Sequence, residues 1–221
     1  MFSRFFSSKE KNPYEALFKK EKVFCIGANK TGTTSLEKMF AGFGYKLGNQ
    51  YNAEMLSVEY GKRNFEPIIK LCHTADAFQD APFSFPYTYV VLDHYFPNAK
   101  FVLSVRDSAD QWYNSMVNFH SKKYGNGNVP TEEDLKKAVY RYEGKPWETN
   151  RILFNTPPGE PYHKPTLVRY YENHNFNIRE FFRMKSNFIE VNISKQEDYL
   201  KLCTFLGKEP QGDNFPWENK T

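Results

Sequence analysis

The stretch Lys22–Leu36, KVFCIGANKTGTTSL, constrains the fold more than any other part of the chain. Its unbroken apolar run, Val23–Ile26, reads as a strand covered on both faces. The chain then turns through Gly27-Ala28-Asn29-Lys30-Thr31-Gly32-Thr33-Thr34 into a helical pattern carried by Leu36, Met39, Phe40 and Phe43. A strand, a glycine-containing loop and a helix N-terminus in that order cradle an anion. The first N–H groups of a helix lack internal partners, and the helix dipole adds partial positive charge there. Gly27 and Gly32 allow backbone angles and close approaches that a side chain would block. Lys30 adds a full charge, and Thr31, Thr33, Thr34 and Ser35 add hydroxyls. The expected ligand is a phosphate or a chemically similar oxyanion. The plainer alternative is an ordinary strand–loop–helix whose hydroxyl residues only cap the helix.

Further apolar segments alternate with helical ones. Strands are expected at Tyr45–Leu47, within Ala75–Phe83 ending at Asp80, at Lys100–Val105 and at Phe188–Ile193. Helices are expected at Thr34–Phe43, Phe65–Cys72, Tyr87–Phe96, Thr131–Tyr142, Leu167–Phe182 and Glu197–Leu206, with another starting at Arg106-Asp107-Ser108 and a helical turn within 51–60. Residues 121–130 read as a loop, and the proline-rich 143–165 as irregular. The alternation predicts an α/β three-layer sandwich with a central parallel sheet, in which ligands sit at the carboxyl ends of the strands. Residues 21–221 read as a single domain behind an N-terminal arm, 1–20, that is disordered or loosely packed.

The chain carries 30 basic and 26 acidic residues, a net charge of +4. That balance does not argue for nucleic acid; one local basic site for an anionic ligand suffices. Cys25, Cys72 and Cys203 are odd in number, without metal spacing, which fits core packing in a reducing, cytoplasmic setting. No segment has the ~18–20 consecutive apolar residues of a membrane span.

Two further elements carry chemistry. Arg106 follows the strand Lys100–Val105, where a guanidinium can hold a phosphate by two charge-assisted bonds, and Ser115 lies on the next helix. The alternative is that Arg106 pairs with Asp107 or Asp110. In Gln79-Asp80-Ala81-Pro82-Phe83, Asp80 can accept a proton from a reacting hydroxyl; Asp76, His73 and His94 are other candidates for that role.

Gly27 and Gly32 have the G-x-x-x-x-G spacing of the nucleoside triphosphate loop, but the residue after Gly32 is Thr33, and the lysine stands two residues earlier. The order K-T-G-T-T-S-L resembles instead the phosphosulfate loop of sulfotransferases that use 3′-phosphoadenosine 5′-phosphosulfate (PAPS). A compact, bacterial-type sulfotransferase family shares this loop, a D-x-P element, a strand–R-D–helix with W-Y, and a late F-L-G followed by F-P-x-x-N. Here these are Lys30–Leu36, Asp80–Pro82, Arg106–Ser115, Phe205–Gly207 and Phe215–Asn219. The resemblance implies a P-loop NTPase-like sulfotransferase fold and sulfuryl transfer from PAPS to a hydroxyl or amine, with no metal required.

It implies Lys30 beside the oxygen bridging phosphate and sulfate. The N–H groups and hydroxyls of Thr31, Gly32, Thr33 and Thr34 would hold the 5′-phosphate, and Arg106 and Ser115 the 3′-phosphate. Asp80 takes the place of a catalytic histidine. The sequence departs from cytosolic relatives in three ways. Ser35 replaces an adenine-stacking tryptophan, the basic C-terminal loop is not recognisable, and Asn114 rather than Ser115 falls at the usual spacing from the arginine. The acceptor is a small molecule, carbohydrate or peptide, with aromatic residues of 83–96 and 112–124 as candidate lining and 121–130 and 143–165 as candidate lids. Two rivals stay open. One is a P-loop kinase or phosphotransferase, with Tyr89–Asp93 as its magnesium-holding run; the other is a non-catalytic nucleotide-binding protein.

Overall fold

The computed structural model describes residues 21–216; the expected arm and Trp217 lie outside the described residues. The chain begins with β1 (Val23–Cys25), α1 (Thr33–Gly42), α2 (Gln50–Met55), α3 (Ser57–Gly61), α4 (Glu66–Cys72), β2 (Ala77–Phe78) and α5 (Thr88–Tyr95). It continues with β3 (Lys100–Ser104), α6 (Ala109–Tyr124), α7 (Glu132–Lys137), β4 (Val139–Tyr140), β5 (Tyr142–Glu143), α8 (Lys145–Leu153), α9 (Lys164–Phe182), β6 (Phe188–Val191) and α10 (Gln196–Leu206). The main sheet has the order β2-β1-β3-β6 and is parallel throughout, with Val23 opposite both Ala77 and Lys100, and Phe101 opposite Phe188.

Side chains alternate across a strand, and that alternation builds the three layers. Val23, Cys25, Val102 and Val191 face one way, onto Leu36, Met39 and Phe40 of α1 and Leu202, Cys203 and Leu206 of α10. Phe24, Ile26, Phe101 and Leu103 face the other way, onto Ile68 and Cys72 of α4, Leu92 of α5, and Ile178 and Phe182 of α9. The Phe24 ring meets those of Phe78, Phe83, Phe96 and Phe101 at 5.5–5.9 Å, so the second layer is an aromatic core. All three cysteines are free and buried. Phe215 packs on Tyr199. No helix among the described residues is long and apolar enough to cross a membrane.

Several local expectations are corrected. Tyr45–Leu47 forms no strand: Leu47 makes one isolated bridge to Ala77, because the Lys46 carbonyl is shared by the Asp76 and Ala77 N–H groups. Residues 121–124 complete α6, which meets no breaker before Gly125. The helix expected over Thr131–Tyr142 stops at Lys137, and the chain reverses through Arg141 (φ 69°) so that Val139 and Tyr140 pair with Glu143 and Tyr142. Within 143–165, Gly144 and Pro146 start α8 rather than break it, since proline is favoured in a first helical turn. The segment 51–60 lies mostly in two short helices, α2 and α3.

Candidate active site

Because β2, β1 and β3 are parallel neighbours, their carboxyl ends deliver Asp80, Lys30 and Arg106 to the same edge of the sheet. Gly27, just past β1, lies against β3 so closely that a Cβ there would stand 2.3 Å from both the carbonyl oxygen and Oγ of Ser104. Gly27→Ala should therefore shift strand β3 and lose about 1–3 kcal/mol of stability, read as a lower midpoint in urea denaturation; an unchanged midpoint would remove this contact as the reason for glycine.

The loop is tied down by its carbonyls. That of Ile26 accepts from His174 Nε2 (3.0 Å), that of Ala28 from Thr31 Oγ1 (2.6 Å), that of Asn29 from Trp112 Nε1 (2.8 Å) and that of Lys30 from Arg106 Nε (2.7 Å). The Gly32 carbonyl takes the Ser35 and Leu36 N–H groups as α1 begins, with Gly32 at φ 97°. The N–H groups of Thr31, Gly32, Thr33 and Thr34 have no protein acceptor among the described residues. Every carbonyl bond thus fixes the loop with donors to spare, as an anion site requires. Thr31 is fully buried and its hydroxyl also pairs with Ser104 Oγ (2.6 Å), so it pins the loop, leaving its N–H for a ligand. Thr33 is buried and Thr34 exposed. The Ser35 hydroxyl is buried without a partner.

Lys30 and Asp80 share the wall of a cavity of about 180 Å³. Both hold left-handed backbone, φ 72° and 62°, a conformation that costs about 1–3 kcal/mol per residue and clusters at functional sites. The Lys30 ammonium sits 3.1 Å from the Phe119 ring centroid. Burial pulls its pKa down to about 8, opposed by the negative charge of Asp80 and assisted by Lys123 and Arg106. Burial pushes Asp80 up to about 6; Glu54 adds to the rise, while Lys30 and a hydrogen bond from the Ala81 N–H oppose it. The two groups thus have their pKa values moved toward each other, Asp80 up and Lys30 down. Of the other candidate bases, neither Asp76, His73 nor His94 lines this cavity.

Arg106 forms no ion pair with Asp107 or Asp110. Asp107 accepts from Asn192 Nδ2 (2.7 Å), and Asp110 pairs with Lys164 (2.7 Å). With Nε on the Lys30 carbonyl, its terminal guanidinium nitrogens have no partner among the described residues. Arg106 lines a second, open cavity of about 420 Å³, together with Arg179, Asn192 and Lys195. Ser115, partly buried on α6, lines neither cavity. Tyr89–Asp93 is helical, within α5, and Asp93 pairs with Lys185 and Asn187. That arrangement removes the strand-borne magnesium carboxylate of the kinase alternative. Among the described residues no three His, Cys, Asp or Glu side chains gather as metal ligands.

Sequence reasoning missed the far wall: Glu54, His120, Lys123, Tyr140 and Lys145. His120 is bound through Nδ1 to the Tyr162 hydroxyl (2.8 Å), and burial, with Lys30 and Lys123, pushes its pKa down to about 3, so it stays neutral. The segments 112–124, 121–130 and 143–165, named as lining or lids, contain His120, Lys123, Tyr124 and Lys145, but no signal singled out these side chains, and nothing in the sequence marked Glu54.

A search of curated proteins returns no match. A family model described as a sulfotransferase domain matches residues 22–221. That span takes in the loop after β1, the Asp80 turn and the Arg106 strand end, and the three-layer parallel fold agrees with it; the chain belongs to the sulfotransferase family.

Proposed function

We propose that the protein transfers a sulfuryl group from PAPS to a hydroxyl, or alternatively an amine, of a small acceptor. The observation that carries this reading is the loop whose Ile26, Ala28, Asn29, Lys30 and Gly32 carbonyls are bound by protein while the N–H groups of Thr31, Gly32, Thr33 and Thr34 remain unpaired beside Lys30. These donors fit a 5′-phosphate, and the unpaired Arg106 terminus fits the 3′-phosphate; Ser115 is the least supported member of that set. Ser35, buried, does not stack on an adenine.

Bound PAPS supplies an activated sulfuryl group. Lys30 stabilises the charge that develops on the departing phosphate oxygen, the role of a preorganised cation. Asp80 accepts the proton of the acceptor hydroxyl and orients its oxygen for in-line attack. The aromatic wall of Phe85, Phe119, Tyr124 and Tyr162 lowers the local dielectric, which strengthens both interactions.

Thermal denaturation with adenosine 3′,5′-bisphosphate, beside ATP with Mg²⁺, tests the donor. A ligand at ~100-fold its Kd adds about 2.7 kcal/mol, a rise of roughly 5–10 °C for a chain of this size. The bisphosphate should produce that rise in the native protein and much less in Arg106→Ala. A rise with ATP and Mg²⁺ alone would replace this reading with a phosphotransferase, and binding without turnover of any acceptor would favour a non-catalytic nucleotide-binding protein.

A further inference from the structure

The cavity beside Lys30 and Asp80 carries more positive charge than it balances. Three lysines line it, Lys30, Lys123 and Lys145, against the two acids Asp80 and Glu54. Glu54 is already satisfied, accepting from Arg141 Nε (2.6 Å), the Tyr140 hydroxyl (2.8 Å) and Gln50 Nε2 (3.0 Å). Lys145 is only 3% exposed, and its ammonium reaches just two hydroxyls, Ser57 Oγ at 3.3 Å and Thr149 Oγ1 at 3.4 Å. It has no carboxylate partner among the described residues. Lys123, at the more exposed rim, lies 3.6 Å over the Tyr140 ring, likewise without a carboxylate. Lys145 also opens α8, whose first turn lines the cavity through Lys145 and Pro146 and adds the positive end of a helix dipole. A buried ammonium without a counter-charge is unfavourable, and a ligand that brings the missing charge recovers part of that cost.

We propose that the acceptor is a small oxyanionic hydroxy compound with an apolar ring, its carboxylate or phosphate ester directed to Lys145 and Lys123 and its hydroxyl to Asp80. The body of such a molecule meets Phe85, Phe119, Tyr124, Phe154 and Tyr162. The volume of about 180 Å³ lies below the ~300–1,000 Å³ of pockets for drug-sized ligands, so it accommodates one ring with a short arm rather than an oligosaccharide. This inference rests on the sulfuryl-transfer reading for its reaction. The acceptor oxygen forms the new O–S bond as the S–O bond to the 5′-phosphate breaks, Asp80 takes the hydroxyl proton, and the products are a sulfate ester and adenosine 3′,5′-bisphosphate.

The test is calorimetric binding to the full chain, with and without adenosine 3′,5′-bisphosphate. The probes are 3-(4-hydroxyphenyl)propanoate, its uncharged methyl ester and 2-(4-hydroxyphenyl)ethyl phosphate. At least one anion should bind ten-fold or more tighter than the ester, and which one does tells carboxylate from phosphate recognition. In Lys145→Met, checked for folding by circular dichroism, the preference should collapse while affinity for the ester is kept. If Lys145→Met does not fold, Lys123→Gln at the rim should lower the preference several-fold. An ester that binds as well as both anions, the absence of binding by all three probes, or an anion preference untouched in the folded variants would each overturn the proposal. An anion preference in a protein that does not bind the bisphosphate would keep the acceptor site and refute the donor; bisphosphate binding without the preference would do the reverse.

Discussion

Lys30→Ala is expected to lower kcat for sulfuryl transfer by ~10²–10³-fold, the usual cost of removing one preorganised donor from a developing negative charge. The effect should fall on kcat more than on the acceptor KM, because the ammonium acts on charge that appears only as the S–O bond breaks. Lys30→Arg should not restore the rate, since a planar guanidinium does not replace a compact ammonium held 3.1 Å from the Phe119 ring centroid. Melting curves of the variants would show that the loop survives, because Lys30 is held by its carbonyl bond to Arg106 rather than by its side chain. A Lys30→Ala enzyme with native kcat would remove Lys30 from the reaction.

Asp80→Asn is expected to lower kcat by ~10²–10⁴-fold, the range for loss of a positioned general base, while adenosine 3′,5′-bisphosphate still binds. The pH profile carries the sharper test. Transfer needs Asp80 ionised and Lys30 protonated, so kcat/KM should rise as Asp80 loses its proton near pH 6 and fall as Lys30 loses its own near pH 8. In Asp80→Asn the acid limb should vanish. The alkaline limb should move to lower pH, because the Asp80 charge is what props up the Lys30 pKa. Stability should move the opposite way from activity. The folded protein holds the Asp80 proton more tightly than the unfolded chain, so stability falls as pH rises from about 4 to about 6. The rise from 3.8 to about 6 corresponds to an upper bound of ~3 kcal/mol at 1.36 kcal/mol per pH unit. Asp80→Asn should recover part of this at pH 8 and none below pH 4, measured by urea denaturation. A variant with an intact acid limb, or one that no longer binds the bisphosphate, would contradict the assignment.

The layered fold was legible because it is written in local pattern. Val23–Ile26 and Lys100–Val105 are too apolar for anything but strands buried on both faces, and the helical spacings of α1, α4 and α10 supply the covering layers. Misreadings arose where proline and glycine have two meanings. Gly144 and Pro146, read as breakers, start a helix, and the hairpin at 139–143 depends on the left-handed backbone of Arg141 rather than on any glycine. Tyr45–Leu47 is reduced to one bridge between Leu47 and Ala77, with the Lys46 carbonyl shared by the Asp76 and Ala77 N–H groups.

The sequence by itself determined the order of strand, loop and helix that makes an anion cradle. It also placed Lys30, Asp80 and Arg106 each at a strand end, which parallel pairing was bound to bring to one edge. Only the tertiary structure decided what those groups are. It tied the Ile26, Asn29 and Lys30 carbonyls to His174, Trp112 and Arg106, all distant in the chain, in a turn whose N–H groups stay unpaired. It placed Asp80 and Lys30, both half-buried, in one cavity wall and moved their pKa values toward neutrality. It also set Lys145, 65 positions beyond Asp80 in the sequence, in the same cavity wall. The physical reason is that hydrophobic periodicity is a local property, whereas burial and the electrostatic field are sums over whatever the fold brings near.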